Sequence, residues 1–160
     1  MKRLAIVIIL FLSMSIIQAQ DYETSIGLRS GYSNGITVKH FGSQNYAFEG
    51  ILATQYGGLI ITGLYEFNNE FNGSDLNWYY GFGAHLAYFK GNRNHYPYWW
   101  ETNRTEAYTV LGADAIIGIE YTFHDIPISL SLDWKPSFNL FGHSGLLEDN
   151  FAFSIRYIIK

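Results

Sequence analysis

The stretch from Ile128 to Leu140 alternates with a period of two. Ile128, Leu130, Leu132, Trp134, Pro136, Phe138 and Leu140 fall on one side, and Ser129, Ser131, Asp133, Lys135, Ser137 and Asn139 on the other. Successive strand side chains point to opposite faces, so this is a strand with one greasy and one charged face. Several other segments repeat the pattern, with almost no helical periodicity between them to cover the apolar sides. The polar faces must then meet one another, and the apolar faces are left to meet lipid.

Eight such segments follow in order. Ser25 to Tyr32 sets Ile26, Leu28 and Tyr32 against Gly27, Arg29 and Gly31. The Asn34-Gly35 pair predicts a tight hairpin, from which Ile36 to Phe41 returns antiparallel. Gly42 to Asn45 is the next turn. Tyr46 to Tyr56 turns at Gly57-Gly58 into Leu59 to Phe67, where Ile60 and Leu64 break strict alternation. The fifth strand carries Trp78, Tyr80, Phe82, Leu86 and Tyr88 on one face, with Asn77, Tyr79, Gly81, Gly83, His85 and Ala87 on the other. Tyr108 to Phe123 is the sixth, Ile128 to Leu140 the seventh, and Phe151 to Lys160 the eighth. Pro136 lacks a ladder donor, so a bulge or the fraying outer end of the strand is expected there.

These readings give an all-β fold, an eight-stranded antiparallel up-and-down transmembrane β-barrel. About ten residues per strand suits a tilted bilayer crossing, and closure of the first strand on the last removes edges that would otherwise aggregate. At 160 residues the chain is one domain, and 15% charged residues is low against about 25% in soluble domains. Lys2 and Arg3, the apolar run from Leu4 to Ile17 and the small residue Ala19 form a secretory signal peptide, so residues 1–19 are expected to be removed and 20–160 to form the barrel. The run is shorter than the roughly 20 residues of a membrane-spanning helix. Loss of Lys2 and Arg3 takes the formal net charge from −4 to −6, with no basic patch for nucleic acid. Without cysteine there is neither a disulfide framework nor an acylation site. The location expected is the outer membrane of a Gram-negative bacterium. With both termini in the periplasm, the long connection from Lys90 to Glu106 lies outside the cell, and a ten-residue connection from Asn68 to Asn77 lies on the periplasmic side.

The inward set then includes Arg29, Lys39, Lys135 and Arg156 with Glu49, Asp114, Glu120 and Asp133. An eight-stranded barrel is just wide enough for its side chains to fill it, so four cations and four anions must pair as a polar plug or line an ion or proton pathway. Arg29, Arg156 and Lys135 come together, with Asp133 and Glu49 as expected partners. Inward glycines at 27, 31, 81, 83, 112 and 118 leave room for long side chains such as Tyr79.

No catalytic, metal or cofactor site stands out. The five histidines are scattered, without ligand spacing. His143 and Ser144, with Glu148 and Asp149, supply the residue types of a hydrolase triad in an outer loop at loose spacing. Tyr96, Tyr98, Trp99 and Trp100 are candidates for contact with a partner, glycan or lipid headgroups, or they anchor the rim.

The segments Ile26-Gly27-Leu28-Arg29-Ser30-Gly31-Tyr32, Asn77-Trp78-Tyr79-Tyr80-Gly81-Phe82-Gly83, Gly118-Ile119-Glu120-Tyr121-Thr122-Phe123 and Ser131-Leu132-Asp133-Trp134-Lys135-Pro136 together resemble a family of small outer-membrane barrel proteins of Bacteroidota, similar in architecture to OmpA- and OmpX-type barrels. The resemblance implies insertion by the barrel-assembly machinery. Such chains usually end on an aromatic residue, whereas this one ends on Lys160, keeping the alternation of Phe153, Ile155, Tyr157 and Ile159. The expected function is therefore a non-enzymatic outer-membrane barrel with an ion-paired lumen, in contact with outer-membrane lipid and with loops free to meet a surface partner. The alternatives are a lipid-modifying hydrolase or acyltransferase, a soluble calycin-like small-ligand barrel, and a narrow channel.

Overall fold

A computed structural model of the protein describes residues 24–43, 45–55, 57–71, 75–90, 107–123, 125–141, 145–147 and 151–159. Ten strand segments follow one another: β1 (Thr24–Gly31), β2 (Asn34–Ser43), β3 (Tyr46–Gln55), β4 (Gly58–Glu70), β5 (Leu76–Phe89), β6 (Tyr108–Thr122), β7 (Ile128–Trp134), β8 (Ser137–Phe141), β9 (Gly145–Leu147) and β10 (Phe151–Ile159). All pairings are antiparallel. Each strand position pairs with its neighbours in the chain, and β1 pairs with both β2 and β10, which closes the sheet. β7 and β8 both lie along β6, and β9 and β10 along β8 and β7, so the barrel has eight strand positions.

The seventh position is interrupted at Lys135-Pro136. Along β6 the register holds through the interruption, from Ile117↔Trp134 to Asp114↔Ser137, and the Pro136 carbonyl accepts from Ala115 N at 3.0 Å. On the other side the register slips by one residue, between Trp134↔Phe151 and Ser137↔Leu147. The irregularity thus sits where a proline ring cannot donate, and alternation of the side chains continues across it: Asp133, Lys135 and Ser137 are all buried.

Three local expectations differ from what forms. The Asn34-Gly35 pair is not the tip of the first hairpin, because Arg29↔Gly35 is already a ladder pair and the turn centres on Tyr32. Asn34 instead opens β2, and its Oδ1 accepts from Ser30 Oγ at 3.0 Å and Gly31 N at 3.3 Å. Gly57, with φ of 74°, occupies the left-handed conformation the next-but-one turn needs. The connection after β4 is shorter than ten residues: Asn68↔Tyr79, Asn69↔Trp78 and Glu70↔Asn77 extend the ladder, leaving residues 71–75. Finally, β4 alternates strictly. Ile60, Thr62, Leu64, Glu66 and Asn68 all point inward, so its apolar inner residues mark a mixed lumen wall rather than a break in period.

The outcome is a barrel turned inside out relative to a soluble protein. The largest fully buried side chains are Arg156, Tyr79, Lys39, Glu49 and Glu66, while Leu28 and Phe82 are 64% and 61% exposed on the outer wall. On the outer face of β3–β5, Tyr46, Phe48, Tyr65, Phe67, Tyr80 and Phe82 form a continuous patch of ring contacts, with centroids 5.1 to 6.5 Å apart.

Candidate functional site

The lumen concentrates the charged side chains because β1 to β8 and β10 each turn polar side chains inward on a short radius. Across an antiparallel pair the direct partner of Lys39 is Glu49, yet the two long side chains reach past each other. Lys39 Nζ donates to Glu120 Oε2 at 2.7 Å and to Asn68 Oδ1 at 3.2 Å, and lies 2.9 Å from Glu66 Oε2. Glu49 is taken by Arg156, whose Nη2 is 2.6 Å from Oε1, and by the Thr37 hydroxyl. Arg156 Nη1 also donates to Ser131 Oγ at 2.7 Å, and lies 3.7 Å from Glu120 Oε1, which accepts from Ser129 at 2.8 Å.

Beside this group Arg29 grips Asp133 with both terminal nitrogens, Nη1 at 2.7 Å from Oδ2 and Nη2 on Oδ1. Tyr79 joins the two groups. Its hydroxyl donates to Asp133 Oδ2 at 3.2 Å, and its ring lies under Lys39 Nζ, 4.1 Å from the centroid. Tyr79 can occupy the axis because its partner on β6 is Gly118. A Cβ built there would stand 2.6 Å from Tyr79 Cζ and 2.7 Å from Asp133 Cβ. Tyr79 also packs with Ile51, Ala53, Leu64 and Ile116, an apolar inner strip on β3–β6.

A separate cluster lies toward the opposite end from the termini. Asp114 holds Lys135 Nζ at 2.6 Å through Oδ1 and His85 Nδ1 at 2.7 Å through Oδ2, and His85 Nε2 is 3.0 Å from Asn139 Oδ1. Gly112 leaves the room the imidazole needs, since a Cβ there would collide with the ring. Chemically the lumen is a set of paired charges with hydroxyl and amide support, and such pairing is what permits ions at a site where an unpaired one would cost several kcal/mol. Spaces lined by described residues indent it at both ends. One of about 300 Å³ opens at the end bearing the chain termini, and one of about 40 Å³ at the other end, beside His85 and Lys135.

All eight charged residues expected in the lumen are inward and buried, but they do not pair as one group. Arg29 meets Asp133, Arg156 meets Glu49, and Lys39 meets Glu120, whereas Lys135 is held by Asp114 rather than by Asp133 or Glu49. Sequence reasoning missed Glu66, which adds a fifth buried carboxylate to four buried Lys and Arg among the described residues. The period set by Tyr65 and Phe67 on the outer wall was the signal for it. The alternation of β5 puts His85 on the inner face without naming a partner, and only the fold brings Asp114 and Asn139 to it. Tyr96, Tyr98, Trp99 and Trp100, the His143, Ser144, Glu148 and Asp149 group, and residues 1–19 lie outside the described residues.

Closure, strand number and an inward polar face define the class: an all-β, closed eight-stranded antiparallel barrel. No family model matches the chain, and no curated protein does. Among solved structures, the N-terminal β-barrel domain of Pseudomonas aeruginosa OprF superposes with a TM-score of 0.66 at 9% identity, over 89% of this chain and 100% of that one. At that identity the likeness is one of fold.

Proposed function

We propose that the protein is a non-enzymatic integral outer-membrane barrel whose lumen is closed by ion pairs and whose loops at the end away from the termini contact the cell's surroundings. One observation carries the reading: the exterior is apolar where the interior is charged. A water-soluble barrel with a ligand in its centre needs the reverse, so the calycin-like alternative loses support. Lipid satisfies the outer wall without cost, and a closed ladder leaves no unpaired backbone in hydrocarbon. The OprF likeness supports the same placement through fold. Membership in the small-barrel family of Bacteroidota rests on the sequence motifs, as does export by the residue 1–19 signal and insertion by the barrel-assembly machinery.

The test is fractionation of the expressed protein followed by electrophoresis with and without boiling. Recovery with outer membranes and faster migration of the unboiled form are expected. A periplasmic protein with no such shift would sink the proposal. The enzymatic alternative is tested separately by His143→Ala with Ser144→Ala: the lipid A mass profile is expected to stay unchanged, and a changed profile would make the barrel a lipid-modifying enzyme.

A further inference from the structure

The 300 Å³ vestibule at the end bearing the termini is lined by Asn68, Asn77, Phe41, Glu120, Ser129 and Ser25 among others. Of its two acids, Glu70 is exposed at the rim, and Glu120 is already engaged, since Lys39 and Ser129 occupy both of its oxygens. Its two inner amides are not. Asn68 is 7% exposed, and its Oδ1 is held by Lys39, which fixes the plane of the amide and leaves Nδ2 without a partner among the described residues. Asn77, inward on the adjoining strand two ladder pairs away, has an Oδ1 without a partner among them. An unsatisfied buried amide group is disfavoured by folding, so one at a cavity wall finds its partner in what enters the cavity.

The two groups differ in sense. Asn68 offers a donor and Asn77 an acceptor, from neighbouring strands, which is the complement of a secondary amide presenting C=O and N–H. Phe41 supplies an apolar wall beside them. The volume is at the small end of ligand sites and suits a single sugar or a dipeptide. We propose that the vestibule binds a small neutral ligand through a secondary amide whose carbonyl accepts from Asn68 Nδ2 and whose N–H donates to Asn77 Oδ1. That group is carried both by an N-acetylated amino sugar and by a peptide bond. The site faces the periplasm if the membrane orientation proposed above holds, but its chemistry does not depend on it.

The experiment is a titration of the isotope-labelled barrel, refolded in detergent micelles and first shown folded by its unboiled migration, with N-acetylglucosamine, with alanyl-alanine and with glucose as the amide-free control. Saturable NMR shifts at Asn68, Asn77 and Glu120 are expected from at least one amide probe and not from glucose. Response to the sugar alone assigns an N-acetyl source, and response to the dipeptide alone a peptide. Asn77→Ala, which removes no hydrogen bond from Oδ1 in the unliganded barrel, should weaken binding by about tenfold. No saturable shift from either amide probe, an equal response to glucose, or wild-type affinity in Asn77→Ala would overturn the proposal. A wrong membrane assignment would appear in fractionation and leave this titration readable.

Discussion

Removing the Arg156 guanidinium alone should be among the most damaging single changes in the barrel. The side chain is fully buried, lies 2.6 Å from Glu49 and 3.7 Å from Glu120, and donates to Ser131. At 2.6 Å and an effective dielectric constant of about 20, two unit charges attract by about 6 kcal/mol, most of which desolvation takes back. What remains measurable is the penalty of stranding a partner. Arg156→Met leaves Glu49 with the Thr37 hydroxyl and no guanidinium, beside a second buried carboxylate, Glu66, so a loss of about 3–5 kcal/mol is expected. With a urea m-value of about 2 kcal/mol/M, the unfolding midpoint should fall by about 2 M. Urea titration of the barrel in lipid vesicles, followed by tryptophan fluorescence and unboiled migration, reads this directly. The decisive comparison is Arg156→Met with Glu49→Leu in one chain. Both charges then leave together, and the double variant should lie within about 2 kcal/mol of wild type. Two outcomes would refute the reasoning: a single variant within about 0.5 kcal/mol of wild type, or a double variant that loses the sum of the two singles.

Two further perturbations separate inside from outside. Gly118→Ala places a methyl against Tyr79 and Asp133 and should cost about 1–3 kcal/mol by the same titration, whereas Gly63→Ala, with nothing within 4 Å of the added Cβ, should stay within about 0.5 kcal/mol of wild type. Equal effects at both sites would mean the lumen is not packed as described. Phe82→Arg puts a cation on the outer wall at the middle of β5, and should cost about 2–4 kcal/mol when folding is measured in vesicles. Loss of that penalty would argue that this wall does not face hydrocarbon.

Much of this was legible in the chain because a period of two assigns faces without any knowledge of partners. Leu130, Leu132 and Trp134 against Ser131 and Asp133 determine which side of a strand is polar wherever that strand lies, and the same rule placed Arg29, Lys39, Glu49, Asp114, Glu120, Lys135 and Arg156 inward. Applied to Tyr65 and Phe67 it also reaches Glu66, which the apolar Ile60 and Leu64 had obscured. Strand number and closure followed from lengths and from the absence of anything to cover an edge.

The sequence offers Asp133 and Glu49 as partners for the arginines, but the pairings of Lys39 and Lys135 were decided by the tertiary structure. Lys39 sits opposite Glu49 in the ladder but pairs with Glu120, 81 positions away, because on a narrow concave surface long side chains converge across the axis rather than on their strand neighbours. Lys135 likewise finds Asp114, since the slip at Pro136 is taken up against β9 and β10 while the ladder to β6 stays in register from Ile117↔Trp134 to Gly112↔Asn139. The tip of the first hairpin moved to Tyr32 for a related reason. Hairpin preference is worth less than the register that β1 must keep with both β2 and β10, where a one-residue slip would turn Arg29 and Arg156 out of the lumen. Local chemistry therefore determined the faces, and closure of the cylinder determined the partners.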